Sequence, residues 1–185
     1  MSTLSLARRR DVAELQRLAS SDLTIAWRQF ATADDARDGL IDVLPQLMGT
    51  YGSAAATLAA EYYDEARDAA GAKGRFRAIP AGLPDVGRTE ALARWAVTPL
   101  YSAQPDFTTA FTKVGGGLQR IIADAARETV VTSAVQDSRG GWMRVGSGSG
   151  CDWCAQYIDG EVHYTGGYDF DAHDWCNCDA VEVFD

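Results

Sequence analysis

The sequence predicts a mainly α protein: an elongated helical domain over residues 1–140, followed by a small acidic Cys/His-rich α+β knuckle with short antiparallel strands over residues 141–185. Three observations carry this reading. Apolar residues recur at three- and four-residue spacing from Leu4 to about Val135, the period of a helix with one buried face. Beyond Asp137 that period gives way to short alternating runs separated by Gly-rich turns. All four cysteines lie between positions 151 and 178.

The elements follow in order. From Leu4 to about Phe30, Val12, Leu15, Leu18, Ile25 and Trp27 are interleaved with Arg8, Arg9, Arg10, Glu14 and Arg17, a helical pattern. Ser20-Ser21-Asp22 is expected to break it by offering a fresh N-cap. A second helix starts at the Thr32–Asp35 cap signal and carries Leu40, Val43, Leu44, Leu47, Met48, Tyr51, Leu58, Tyr62 and Tyr63. Pro45 is expected to kink it or to open a new first turn. The Gly- and Pro-punctuated stretch 71–87 reads as a loop with a basic, aromatic tip, Arg75-Phe76-Arg77. Helix resumes from Arg88 to about Tyr101, and Pro105 restarts another that runs to about Val135. Gly115-Gly116-Gly117 falls inside that last helix, where each Gly costs about 1 kcal/mol against Ala. Either the helix begins after Gly117 or another segment packs closely there. Trp142–Val145, Glu161–Tyr164 and Val181–Phe184 alternate as strands do.

Charge is placed unevenly. At 185 residues, 46% hydrophobic and 23% charged, the chain has an ordinary globular composition. Its net charge of −9 sits entirely in the last fifth: residues 151–185 hold nine acids and no Lys or Arg. A segment without a basic residue cannot release phosphate counterions, which argues against direct nucleic-acid contact by the tail. Arg8–Arg10 reads as solvated charge at a mobile end. No run approaches the roughly 20 apolar residues needed to cross a bilayer, and the N-terminus lacks a secretory pattern. The expected compartment is therefore a reducing cytosol, with no membrane partner.

The cysteines form the order C-x2-C-x18-H-x2-C-x-C, built from Cys151, Cys154, His173, Cys176 and Cys178. A C-x2-C turn puts two thiolates on one side of a tight knuckle, as tetrahedral zinc requires. His173, Cys176 and Cys178 offer the remaining ligands, five candidates for four positions. Cys151, Cys154, His173 and Cys178 are the favoured set, with Cys176 the substitute for either of the last two. Four protein ligands make such a Zn²⁺ structural, not catalytic. Two disulfides, a C-x-x-C redox pair and free, unmetallated cysteines are the alternatives, the last disfavoured by the C-x-C step and the nearby His. A cytosolic origin argues against the first, and the absence of a surrounding βαβ pattern against the second. Asp171 and Asp174 flank His173, where one of them could hold its second ring nitrogen or both could be solvated turn residues.

Trp142-x-Arg144-Val145, Cys151-x-x-Cys154, Gly160 and Tyr164, His173-x-x-Cys176-x-Cys178 and the closing Val-x-Val-Phe together resemble the tail of a phage head protein. The likeness is to the Mu F-like minor capsid (head morphogenesis) proteins of actinobacterial tailed phages, whose genes often carry the label capsid maturation protease. Tyr51-Gly52-x-x-Ala55-Ala56, Tyr62-Tyr63-x-x-x-Arg67, Gln119-Arg120 and Arg127-x-Thr129-Val130 fit the helical portion of the same family, so the resemblance covers most of the chain. It implies a virion component at the capsid interior or portal vertex, made in the host cytoplasm. Its implied partners are the portal protein and the major capsid or scaffold protein. Its implied role is procapsid assembly, with genome packaging or ejection as extensions.

The protease label asks for machinery. Nucleophilic catalysis needs a Ser or Cys beside a positioned base. The two histidines are His163, with no evident partner, and His173, claimed by the cysteine cluster; G-x-S-x-G and H-E-x-x-H are both missing. The residues therefore lean toward a non-enzymatic protein, with a maturation protease as the alternative.

Overall fold

Among the described residues five long helices pack together, and a two-stranded antiparallel sheet joins them near the end of the chain. The computed structural model describes residues 2–146, 152–158, 160–164, 170 and 172–185, with backbone alone at 153 and 154. The helices are α1 (Thr3–Trp27), α2 (Ala33–Leu47), α3 (Ser53–Ala69), α4 (Val86–Ala96), α5 (Phe107–Gln136) and a single turn, α6 (Asp152–Ala155). The strands are β1 (Gly140–Val145) and β2 (Asp179–Phe184), in register Gly140↔Phe184 through Val145↔Asp179. The mainly helical fold class read from the periodicity holds. Among the described residues no helix is long and apolar enough to cross a membrane.

Helix α1 starts where Ser2 accepts a hydrogen bond from Ser5 N. It runs unbroken through Ser20-Ser21-Asp22, against the expected break. Ala19 and Leu23 are fully buried one turn apart on the same face, so unwinding there would expose both. The Asp22 carboxylate, the prospective cap, instead accepts from the Tyr51 hydroxyl at 2.5 Å. The Thr32–Asp35 signal is a full capping box, each side chain bonding the other's backbone N–H. Pro45 neither ends α2 nor opens a new helix. Three residues later the helix widens into a π turn, Met48–Gly52, and continues as α3.

The expected 71–87 loop spans residues 70–85, because Asp85 caps α4 two residues early by accepting from Gly87 N. It is pinned to the body. Arg67 donates to the carbonyls of Ala72, Lys73 and Gly74, Asp64 accepts from Ala78 N, and Thr129 Oγ1 accepts from Ala81 N. Phe76 is not an exposed tip; it packs edge-on against Tyr63 at 5.9 Å. The exposed apolar residue of this segment is Ile79. Arg67 also pairs with Asp137 at 2.7 Å, and Tyr63, fully buried above them, has its hydroxyl pushed well above the ordinary phenol range by burial and by Asp137.

Helix α5 buries more residues than any other described element and fills the middle of the molecule. It passes straight through Gly115–Gly117, so the close-packing alternative is the one realised. A side chain at Gly117 would run into the Leu92 side chain of α4, and one at Gly116 would come 2.6 Å from the Trp175 indole nitrogen. The sheet lies against α5, with Trp142 and Ala180 in the same buried cluster as Leu44, Leu118 and Ile122. The strand expected over 161–164 is reduced to one bridge: His163 exchanges both backbone bonds with Trp142, on the edge of β1 away from β2.

The ends of the chain meet through charge. Arg8, on the buried face of α1, donates to Glu182 Oε2 at 2.5 Å, to Asp179 Oδ2 at 3.0 Å and to the Ala180 carbonyl. Ser5 Oγ supplies a further donor to Glu182 at 3.1 Å. Arg8 is therefore no solvated charge; it is 1% exposed.

Two pairs of variants test this packing in urea unfolding. Arg8→Met should cost about 3–5 kcal/mol, because it strands two acids in the interior. Arg10→Met, at an exposed guanidinium two residues away, should stay within about 0.5 kcal/mol. Gly115→Ala, whose new carbon would meet Trp175 at an ordinary 3.6 Å, should stabilise by up to about 1 kcal/mol. Gly117→Ala should destabilise by about 1–3 kcal/mol as Leu92 is displaced. Equal effects at the two glycines would refute the close contact with α4.

Candidate metal centre

The Cys/His end is built on a turn, a two-residue step and a strand. Cys176 N donates to the His173 carbonyl at 3.1 Å, closing the H-x-x-C turn. Trp175 takes a left-handed φ of 62° inside it and lays its indole over Gly115 and Gly116 of α5. That non-glycine left-handed residue is a strained position held by its surroundings. From Cys176 the chain passes through Asn177 to Cys178 and enters β2. Both cysteines are buried, against Phe170 and Ala172.

Two features suit a metal ligand set. Cys178 N donates to Cys176 Sγ at 3.4 Å, a bond that orients the sulfur. His173 Nδ1 lies 2.6 Å from the Asp174 carbonyl oxygen, which can only accept, so Nδ1 carries a proton and Nε2 is the nitrogen a metal would use. A ligating histidine characteristically gives its other N–H to such a carbonyl. The partner of His173 is thus the Asp174 main chain. The Asp174 carboxylate, one of the two that could have held that nitrogen, faces Arg120 at 3.2 Å, and Asp171 lies outside the described residues. So do Cys151 and the side chain of Cys154, two of the four favoured ligands. Among the described residues no three His, Cys, Asp or Glu side chains form a metal-holding group.

What the sequence reading missed is the ring of arginines around this step. Arg127, 4% exposed on α5, donates through Nε to the Cys178 carbonyl at 2.9 Å and through Nη2 to the Cys176 carbonyl at 2.8 Å. Its Nη1 bonds Asp124 at 2.9 Å. Arg9 takes the Asn177 carbonyl at 2.9 Å. Arg144, also buried, stacks over Phe170 at 3.9 Å, and Arg127 lies 5.2 Å from the same ring. A signal existed. Arg8 stands four residues before Val12 on the apolar face of α1, and Arg127 interrupts the apolar run of α5 between Ala126 and Val130. A charge on a buried stripe demands a partner, and the arginine-free acidic tail supplies it.

Beside the site lies a cleft of about 400 Å³ lined by Arg88, Arg120, Arg127, Asp124, Glu128 and Phe170. Its charges are largely matched: Arg88 pairs with Asp124 at 3.4 Å and Arg120 with Asp174. Burial pushes the Asp124 carboxyl above its usual range despite the opposing pull of Arg127, Arg88 and Arg120. His163, the other histidine, is half-buried with its ring 4.8 Å from that of Trp142.

Compared with known proteins, residues 4–185 match the family model described as VG15 protein. No curated protein and no solved structure matches.

Proposed function

This chain belongs to the VG15 protein family, a phage gene-product family, and from that membership we propose that it is a Mu F-like minor head protein of a tailed phage. It docks on the portal ring during procapsid assembly and performs no cleavage itself. The structural observation that supports the reading is the exposure of four separate large apolar side chains on α4 and its flanks: Ile79, Val86, Trp95 and Tyr101. Exposed aromatic and aliphatic groups on an otherwise packed helical body are the raw material of a protein interface.

The acidic tail contributes a smaller outward field than its composition suggests. Asp174, Asp179 and Glu182 face arginines of the same chain, whereas Asp152, Glu161 and Asp185 are exposed. Those exposed acids favour a basic surface on the portal, capsid or scaffold partner, with association weakened by salt. In this reading the Cys/His end is braced by one structural Zn²⁺ drawn from Cys151, Cys154, His173, Cys176 and Cys178. The ion supplies a cross-link in a short segment with little room for a core of its own.

Two measurements test this. Reduced, untagged protein should carry about one zinc per chain, and a chelator should release the Cys-bearing segment while helical circular dichroism largely persists; a content far below one refutes the metal. Heads assembled without this gene product should show portal or assembly defects with their precursors normally processed. Uncleaved capsid or scaffold precursors in those heads, together with cleavage of the precursors by the purified protein, would establish the maturation protease in place of the assembly role.

A further inference from the structure

Resting on the zinc reading above, we propose that Arg127 is the positioning residue of the metal site: from α5 it holds the backbone of the Cys176-Asn177-Cys178 step and so limits the directions its two thiols can take. A C-x-C step has three peptide carbonyls that could point toward the bound ion or turn the sulfurs away from it. All three are occupied by guanidinium groups, Cys176 and Cys178 by the two arms of Arg127 and Asn177 by Arg9. Two donors from one planar group fix orientation as well as distance. With the carbonyls held, Cys178 N is left directed at Cys176 Sγ, so the sulfur is aimed by the same clamp.

The clamp is itself braced. Asp124, one turn earlier on α5, bonds the remaining arm of Arg127, and the Phe170 ring lies 5.2 Å from the guanidinium carbon. The helix that carries it holds more buried residues than any other described element. A ligand pair held on a rigid element loses less freedom when it captures the metal, and that difference is read directly as affinity. The distinction from ordinary packing is that Arg127 touches the ligand residues through directional bonds to their own peptide groups.

The test uses the full reduced chain, with zinc affinity measured by chelator competition and ligand geometry by the visible absorption of bound cobalt(II). Arg127→Gln should still bind one metal but about 10–100-fold more weakly, with an altered cobalt spectrum. Arg127→Lys, which keeps the charge and loses the fork, should recover little of that affinity. Should Arg127→Gln fail to fold, Asp124→Asn, which loosens the clamp from behind, is expected to weaken binding by roughly three- to tenfold. Lowered thermal stability with unchanged zinc affinity and an unchanged cobalt spectrum, in either variant, would overturn the proposal. Wild-type protein that binds no zinc would overturn the metal reading instead.

Discussion

A buried guanidinium cannot be left half-satisfied, and that constraint organises this molecule. Arg8 sits in the interior with Glu182, Asp179 and the Ala180 carbonyl around it. Removing a charge from water is expensive, and the attraction between the ions repays it only when geometry and hydrogen bonding are complete. The cluster therefore admits β2 in one register against α1. A slip of a single residue would turn Glu182 away from Arg8 and put its neighbours in its place. Once β2 is fixed, β1 is fixed by pairing, and Trp142 and Ala180 are delivered into the core around α5.

The same logic repeats one step earlier in the tail. Arg127 and Arg9 bind the carbonyls that precede β2, and Arg144 stacks on Phe170. The tail supplies acids and carbonyls, and the helices and β1 supply the guanidinium groups. Neither the charge-neutral first 150 residues nor the acidic remainder is electrostatically complete alone. Arginine suits the task because its fork meets two acceptors at once and its charge persists on burial. The arrangement draws several of the tail's acids inward, which is why the net charge of −9 overstates what a partner would encounter.

Helix α5 makes the close approach physically available. Three consecutive glycines would weaken a helix exposed to water, yet here they let Leu92 and Trp175 reach the helix backbone. The cost in helix propensity is offset by contacts that a methyl group would block. Trp175 is in turn the residue that closes the His173–Cys176 turn in a left-handed conformation, so the glycines position the candidate metal ligands from the far side.

Much of the secondary structure was legible in the chain, because helix caps and apolar periodicity are local properties. The Thr32–Asp35 box, the Pro105 restart and the change of period after Asp137 could each be read from a few neighbouring residues. The Cys/His order likewise marks a candidate site by spacing alone. What the sequence could not disclose is which local preference would lose to a distant contact. Asp22 gave up its cap to Tyr51, Phe76 turned inward onto Tyr63, and the 161–164 strand shrank to the His163 bridge. Nor could it assign Arg8 to Glu182, a partner at the opposite end of the chain. The sequence by itself determined where most helices begin, where they give way to strands and which residues stand as candidate metal ligands. The tertiary structure decided which charges are buried and which peptide groups hold the cysteines, because desolvation and directional hydrogen bonding depend on what lies nearby in space.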